Sequence, residues 1–166
     1  MRIAISFIFL LVIIQVTGQK PDGYDEELKN MYENTVELIT TEELVSEIQV
    51  NPGIFILDTR EKNEYKVSHI KNALYVGYNE FNLNTVRDIP SNAEIVVYCS
   101  LGIRSERIGE QLKEAGYTNV KNLFGGIFEW VYHEQPIVNK KESLTQKVHT
   151  YDENWSKWLL KGERTY

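Results

Sequence analysis

Three short apolar runs constrain this chain more than any other feature: IFILD at 54–58, ALYVG at 73–77 and EIVVYC at 94–99. A strand with one wet face alternates apolar and polar residues, so a run without that relief reads as a strand buried on both faces. Segments of helical spacing lie between and after the runs: EKNEYKV, SERIGEQLKEAG and GGIFEWVYHEQ. Ahead of them ITTEELVSEI has the start signal of a helix, with Thr41 expected as N-cap and Leu44, Val45 and Ile48 on one face. Strands that alternate with helices predict an α/β fold, a single domain whose central, mainly parallel sheet carries helices on both faces.

The chain has 166 residues, of which 42% are hydrophobic and 25% charged, enough to fill one core. Residues 36–138 are expected to form the domain. Residues 19–35 read as a polar, mobile lead-in with a short helix at 26–32. Residues 139–166 read as a C-terminal extension whose Trp155, Trp158 and Leu159 share a helical face that docks on the domain. A net charge of −6 without a basic block argues against a nucleic-acid partner. After Met1-Arg2, the stretch from Ile3 to Val16 is almost wholly apolar, yet shorter than the about 18 residues of a membrane-spanning helix. With Val16-Thr17-Gly18 before Gln19, residues 1–18 fit a signal peptide. The expectation is therefore an exported protein, periplasmic or secreted, with no membrane contact after cleavage; an uncleaved anchor is the alternative. A monomer is expected.

The chain has one cysteine, Cys99, which excludes an intramolecular disulfide. It ends the strongest strand, and ligands of parallel α/β sheets bind beyond the carboxyl ends of the strands. The following Ser100-Leu101-Gly102-Ile103-Arg104 can curl so that successive N–H groups point inward as an anion-binding nest. Ser105 is expected to start the helix, whose positive end adds to that field. Gly102 is free to take positive φ, and Arg104 brings a permanent cation near the sulfur. Each feature favours thiolate over thiol. A buried, inert cysteine is the bland alternative. His133 and His149 have no second ligand at metal spacing, so no metal is expected, and no cofactor.

The loop C-x-x-G-x-R resembles the active-site loop of the rhodanese-like sulfurtransferases, and the likeness extends over about residues 36–136. FILDTREKNEY resembles the family's aspartate-x-arginine segment with a downstream glutamate, here Asp58, Arg60 and Glu64. SHIKNALYV resembles its histidine-isoleucine stretch, with His69, Ile70 and Ala73 in step. AGYTNVKNLFGGIFEW matches its closing signature through Leu123, Gly125, Gly126 and Trp130. Two departures stand out. Lys71-Asn72 replaces a common proline-glycine, a change expected to be structural. Ser100 and Leu101 are uncharged where thiosulfate-using members often carry a basic residue, which argues against thiosulfate as the physiological donor.

The resemblance implies sulfur transfer by double displacement: Cys99 takes a sulfane sulfur from a donor, small molecule or protein, and passes it to a thiol or cyanide. Asp58, Arg60 and Glu64 are expected to brace the first strand–helix turn, His69 to fix a loop, and Gly125-Gly126 to bring the chain close to the sheet before the helix of Trp130. Two rival functions compete with this one. A cysteine phosphatase of the same fold would place five residues between cysteine and arginine, and here four intervene. A non-catalytic binding module would have no need of Cys99, Gly102 and Arg104 together.

Overall fold

The computed structural model describes residues 20–166; the expected signal peptide, 1–18, lies outside them. Helix α1 (Tyr24–Lys29) precedes β1 (Glu37–Ile39), α2 (Thr41–Val50), β2 (Phe55–Asp58) and α3 (Lys62–Val67). Two short strands follow, β3 (His69–Ile70) and β4 (Leu74–Tyr75), then a single 3-10 turn at Leu83–Thr85. The heart of the chain is β5 (Glu94–Tyr98), α4 (Ile103–Glu114), β6 (Asn119–Leu123) and α5 (Gly126–Tyr132). Beyond it come β7 (Ile137–Val138), β8 (Leu144–Thr145), β9 (Lys147–His149), α6 (Glu153–Ser156) and β10 (Glu163–Thr165).

The main sheet runs β1-β6-β5-β2-β4, and every pairing in it is parallel. Alternation in the central strand sorts the core into two layers. Val96 and Tyr98 face one cluster with Leu44 of α2, Ile127 and Phe128 of α5 and Leu28 of α1. Ile95 and Val97 face the other, with Ile108 and Leu112 of α4 and Val86 and Ile89. Helices therefore cover both faces, as the apolar runs require. A small antiparallel sheet, β3-β7-β8, and the parallel pair β9-β10 flank this body.

Several expected boundaries move, each for a local reason. Thr40, not Thr41, caps α2: its hydroxyl accepts from Glu43 N while the Glu43 carboxylate accepts from Thr40 N, a reciprocal capping box. The ALYVG run keeps only two residues in the sheet, because β4 is an edge strand and the chain turns off it where Val76 N and Gly77 N both donate to Asp58 O. At the Lys71-Asn72 departure the chain makes a tight turn, Ala73 N donating to Ile70 O at 2.9 Å, with Asn72 at φ 66, a conformation asparagine tolerates.

The lead-in expected to be mobile is packed. Tyr24, Leu28 and Tyr32 recur every fourth residue, an apolar stripe buried in the core. The buried Glu106 carboxylate of α4 anchors the same segment by accepting from Glu33 N and Thr35 N. In the C-terminal extension, Trp158 and Leu159 are buried. Trp155 is not: α6 is a single turn started by Asp152, whose carboxylate accepts from Asn154 N and Trp155 N, and Trp158 and Leu159 follow its end. The shared helical face expected for the three residues does not form.

Candidate active site

Cys99 leaves β5 at the carboxyl edge of the sheet, and Gly102, at φ 93, turns the chain directly into α4. The helix begins at Ile103, two residues before the expected Ser105, because the left-handed glycine completes the reversal in one step. An L-residue there would meet more than backbone strain: a Cβ on Gly102 would lie 2.1 Å from the Tyr32 hydroxyl.

The loop carbonyls are held from outside. Ile127 N and Phe128 N, in the first turn of α5, donate to Cys99 O and Ser100 O at 2.9 and 3.2 Å. The Tyr32 hydroxyl donates to Leu101 O and accepts from Gly125 N. Asn122 Nδ2 donates to Gly102 O at 2.8 Å. In a trans peptide the C=O and the following N–H point in opposite directions. Pinning each carbonyl outward therefore turns the next amide inward, and Gly102 N donates to Cys99 Sγ at 3.1 Å. Of the nest expected between Cys99 and Arg104, the Gly102 amide is the part seen on the sulfur.

Gly125 and Gly126 make the approach of α5 possible. Gly126 has φ 55, and a Cβ on it would lie 2.3 Å from Cys99 O. No side chain could move to relieve that contact, because the obstacle is the loop's own backbone. Trp130 is buried and donates from Nε1 to Pro136 O at 3.0 Å, which holds α5 against the chain leaving it.

Arg104 is clamped. Its Nη1 donates to Glu64 Oε2 and its Nη2 to Glu64 Oε1, both at 2.8 Å, and Nη2 also reaches Ser100 Oγ at 3.1 Å. Burial alone would raise the Glu64 carboxyl, but the two Arg104 hydrogen bonds, with the Arg60 charge behind them, hold it below the ordinary carboxylate range. The same partnership outweighs burial at Arg104 and raises its pKa. Glu64 does more than expected: its Oε2 accepts from Glu61 N at 2.9 Å, bracing the first strand–helix turn in a reciprocal capping box, and the same carboxylate holds Arg104 of the cysteine loop.

Asp58 and Arg60 share that bracing role, and neither is exposed. Arg60 Nη2 donates to Asp58 Oδ2 at 2.7 Å and to Ser68 O at 2.6 Å. The Tyr98 hydroxyl donates to the same Asp58 oxygen at 2.6 Å and accepts from Ile70 N. Burial and the Asp58 charge push Tyr98 well above its ordinary value, which keeps it a donor. His69 stands apart from the cysteine: it stacks on Tyr65 at 3.9 Å, and its Nδ1 lies 3.0 Å from Tyr65 O. Ser105 is also outside the cradle. Its Oγ donates to Asn122 Oδ1 at 2.7 Å, fixing the start of α4 to β6.

A cavity of about 290 Å³ opens over the sulfur. Cys99, Ser100, Leu101, Ile103 and Arg104 form its floor, and Glu61, Tyr78 and Asn79 one wall. Tyr151 and Trp155, from the C-terminal extension, form the other. The Arg104 guanidinium sits 5.4 Å from the Tyr151 ring centroid.

A family model for the rhodanese-like domain matches residues 40–133. The chain belongs to the rhodanese-like family. A sulfurtransferase from Allochromatium vinosum is 31% identical over 100 residues, 60% of this chain and 92% of that protein. A tRNA uridine(34) hydroxylase from Buchnera aphidicola is 29% identical over 122 residues, 70% of this chain. This rhodanese-like chain spans only 39% of that hydroxylase's length. Among solved structures, the thiosulfate sulfurtransferase of Pseudomonas aeruginosa shares the fold with a TM-score of 0.59 and 22% identity, over 70% of this chain and 22% of that one. Sulfurtransferases are thus among the relatives of this rhodanese-like domain.

Proposed function

We propose that this chain is a sulfurtransferase whose nucleophile is Cys99. The observation that carries the proposal is the 3.1 Å hydrogen bond from Gly102 N to Cys99 Sγ at the floor of an open cavity, in a loop whose other carbonyls are pinned outward. A donor that stabilises anionic sulfur before any substrate arrives is suited to a thiolate nucleophile. Helix α4 begins four residues after the cysteine, and the tight turn into it brings Gly102 N onto the sulfur itself. That supports sulfur chemistry over a phosphate cradle.

In the first half-reaction the Cys99 thiolate attacks a sulfane sulfur. The bond from that sulfur to the donor breaks, the donor leaves with the electron pair, and Cys99 carries a persulfide. In the second, an acceptor thiolate or cyanide attacks the outer sulfur and the Cys99 thiolate returns. The Gly102 amide faces the Cys99 sulfur, and Arg104 adds a fixed cation. The partners are a sulfur donor, small molecule or protein, and a thiol acceptor.

Intact-mass measurement after incubation with thiosulfate, polysulfide or an organic persulfide tests this directly. A gain of one sulfur, reversed by dithiothreitol and absent in Cys99→Ser, is expected. An unchanged mass with all three donors would remove the proposal.

A further inference from the structure

The residues over the cysteine differ in kind from those beneath it. Beneath lie one thiol, one nest and one cation, and that cation is already met by the two oxygens of Glu64. Above lie Tyr78, Tyr151 and Trp155, with Leu101 and Ile103 at the floor, so most of the cavity wall is aromatic or aliphatic. The remaining charged wall residue is Glu61, an anion. Its Oε1 accepts from Asn79 Nδ2 at 2.8 Å, which fixes the carboxylate at the cavity side. With Glu64 counted behind Arg104, and the cysteine itself left aside, the charges bordering the cavity sum to one negative.

Such a pocket is poorly matched to a small dianion. Among the described residues it offers no second cation, and an anion stands in its wall. It is well matched to a carrier with an apolar body, because the aromatic wall would be removed from water on binding. We propose, building on the assignment of Cys99 as sulfur acceptor, that the site selects sulfane-sulfur carriers with an aromatic or apolar body and at most one negative charge. Tyr151 and Trp155 of the C-terminal extension form the selecting wall. Tyr151 is held to this task. Its backbone N donates to His149 Nδ1 at 3.0 Å, and its ring lies against Arg104.

Two donors that differ in the body and not in the transferred atom isolate this claim: thiosulfate and benzenethiosulfonate. In both, the Cys99 thiolate attacks the terminal sulfur and the bond from it to the oxidised sulfur breaks. Sulfite or benzenesulfinate leaves with the electron pair, and the anionic Cys99 persulfide remains. Charge balances on both sides and no external oxidant or reductant enters.

The measurement is kcat/KM for transfer to cyanide from each donor, with folding followed by thermal unfolding. The wild type should favour the aromatic donor. The ratio of the two constants should fall by roughly tenfold in the Tyr151→Ala/Trp155→Ala double variant, the size expected for losing burial of part of an aromatic ring. Tyr151→Leu, which keeps an apolar wall, should retain most of the ratio and serves if the double variant does not fold. Glu61→Gln should also lower the ratio, by the separate route of helping thiosulfate several-fold. A wild type that favours thiosulfate, or a ratio unmoved by all these changes, overturns the selection claim and leaves Cys99 as sulfur acceptor. Failure of both donors to load sulfur on Cys99 overturns that assignment too.

Discussion

Glu64 grips Arg104 through two parallel hydrogen bonds of 2.8 Å, so the cation of the cysteine loop is delivered by α3 and not by its own helix alone. Glu64 is 1% exposed and Arg104 21%, a difference that sets how the pair responds to pH and to mutation.

Because the folded-state pKa of Glu64 is depressed, the pair stabilises the fold fully above the ordinary glutamate value of about 4.3. That contribution is lost as pH falls through the lower folded value. Glu64→Gln should cost about 2 kcal/mol at pH 7, less than the about 3–5 of a wholly buried pair because water reaches Arg104. Urea unfolding of both proteins from pH 7 to pH 3 should show this gap closing below about pH 4. A gap independent of pH would place the effect elsewhere than in the ion pair.

Tyr32→Phe removes one hydroxyl and leaves two buried loop groups, Leu101 O and Gly125 N, without their partner. The expected cost is about 1–3 kcal/mol in stability. Sulfur loading should slow as well, since the Leu101 carbonyl then no longer holds the Gly102 amide on the sulfur. Chemical denaturation with persulfide formation followed by mass reads both effects. Full stability with full loading would show that the N-terminal segment does not support the loop.

The two loop glycines should fail differently. Gly126→Ala drives a Cβ into the Cys99 backbone carbonyl, with nothing free to move, and should cost at least about 3 kcal/mol. Gly102→Ala meets a tyrosine ring that can shift, so it should be better tolerated in thermal unfolding while loading less sulfur. Equal losses in both variants would contradict the packing described for α5.

How much of this was legible in the sequence follows from chain distance. The parallel sheet and the nest were readable because β5, Cys99, Gly102 and Arg104 are contiguous, and local conformation settles their geometry. The Glu64 role was visible as a residue and not as a contact, since a carboxylate 40 positions from its arginine partner has no local signal. Tyr32, Tyr151 and Trp155 were missed as site residues for the same reason: each reaches the loop from outside the domain segment by tertiary packing. The four-residue spacing of Tyr24, Leu28 and Tyr32 was the available clue for the first. For Trp155 the clue misled, because Asp152 starts a helix too short to put both tryptophans on one face.

The apolar stretch from Ile3 to Val16 and the small residues before Gln19 lead to a prediction about processing. N-terminal sequencing of protein recovered outside the cytoplasm should begin at or near Gln19. Intact Met1 protein retained in the membrane would support the anchor instead.

The central claim is that Cys99 carries sulfur in transit, and single-turnover transfer tests it most directly. The protein is loaded from a donor bearing an isotopically labelled sulfane sulfur, freed of donor, and mixed with an acceptor thiol. The account predicts one labelled sulfur on Cys99 and its movement to the acceptor with no donor present, neither of which occurs with Cys99→Ser. Label that stays on the protein, or appears on the acceptor only while donor remains, would contradict it.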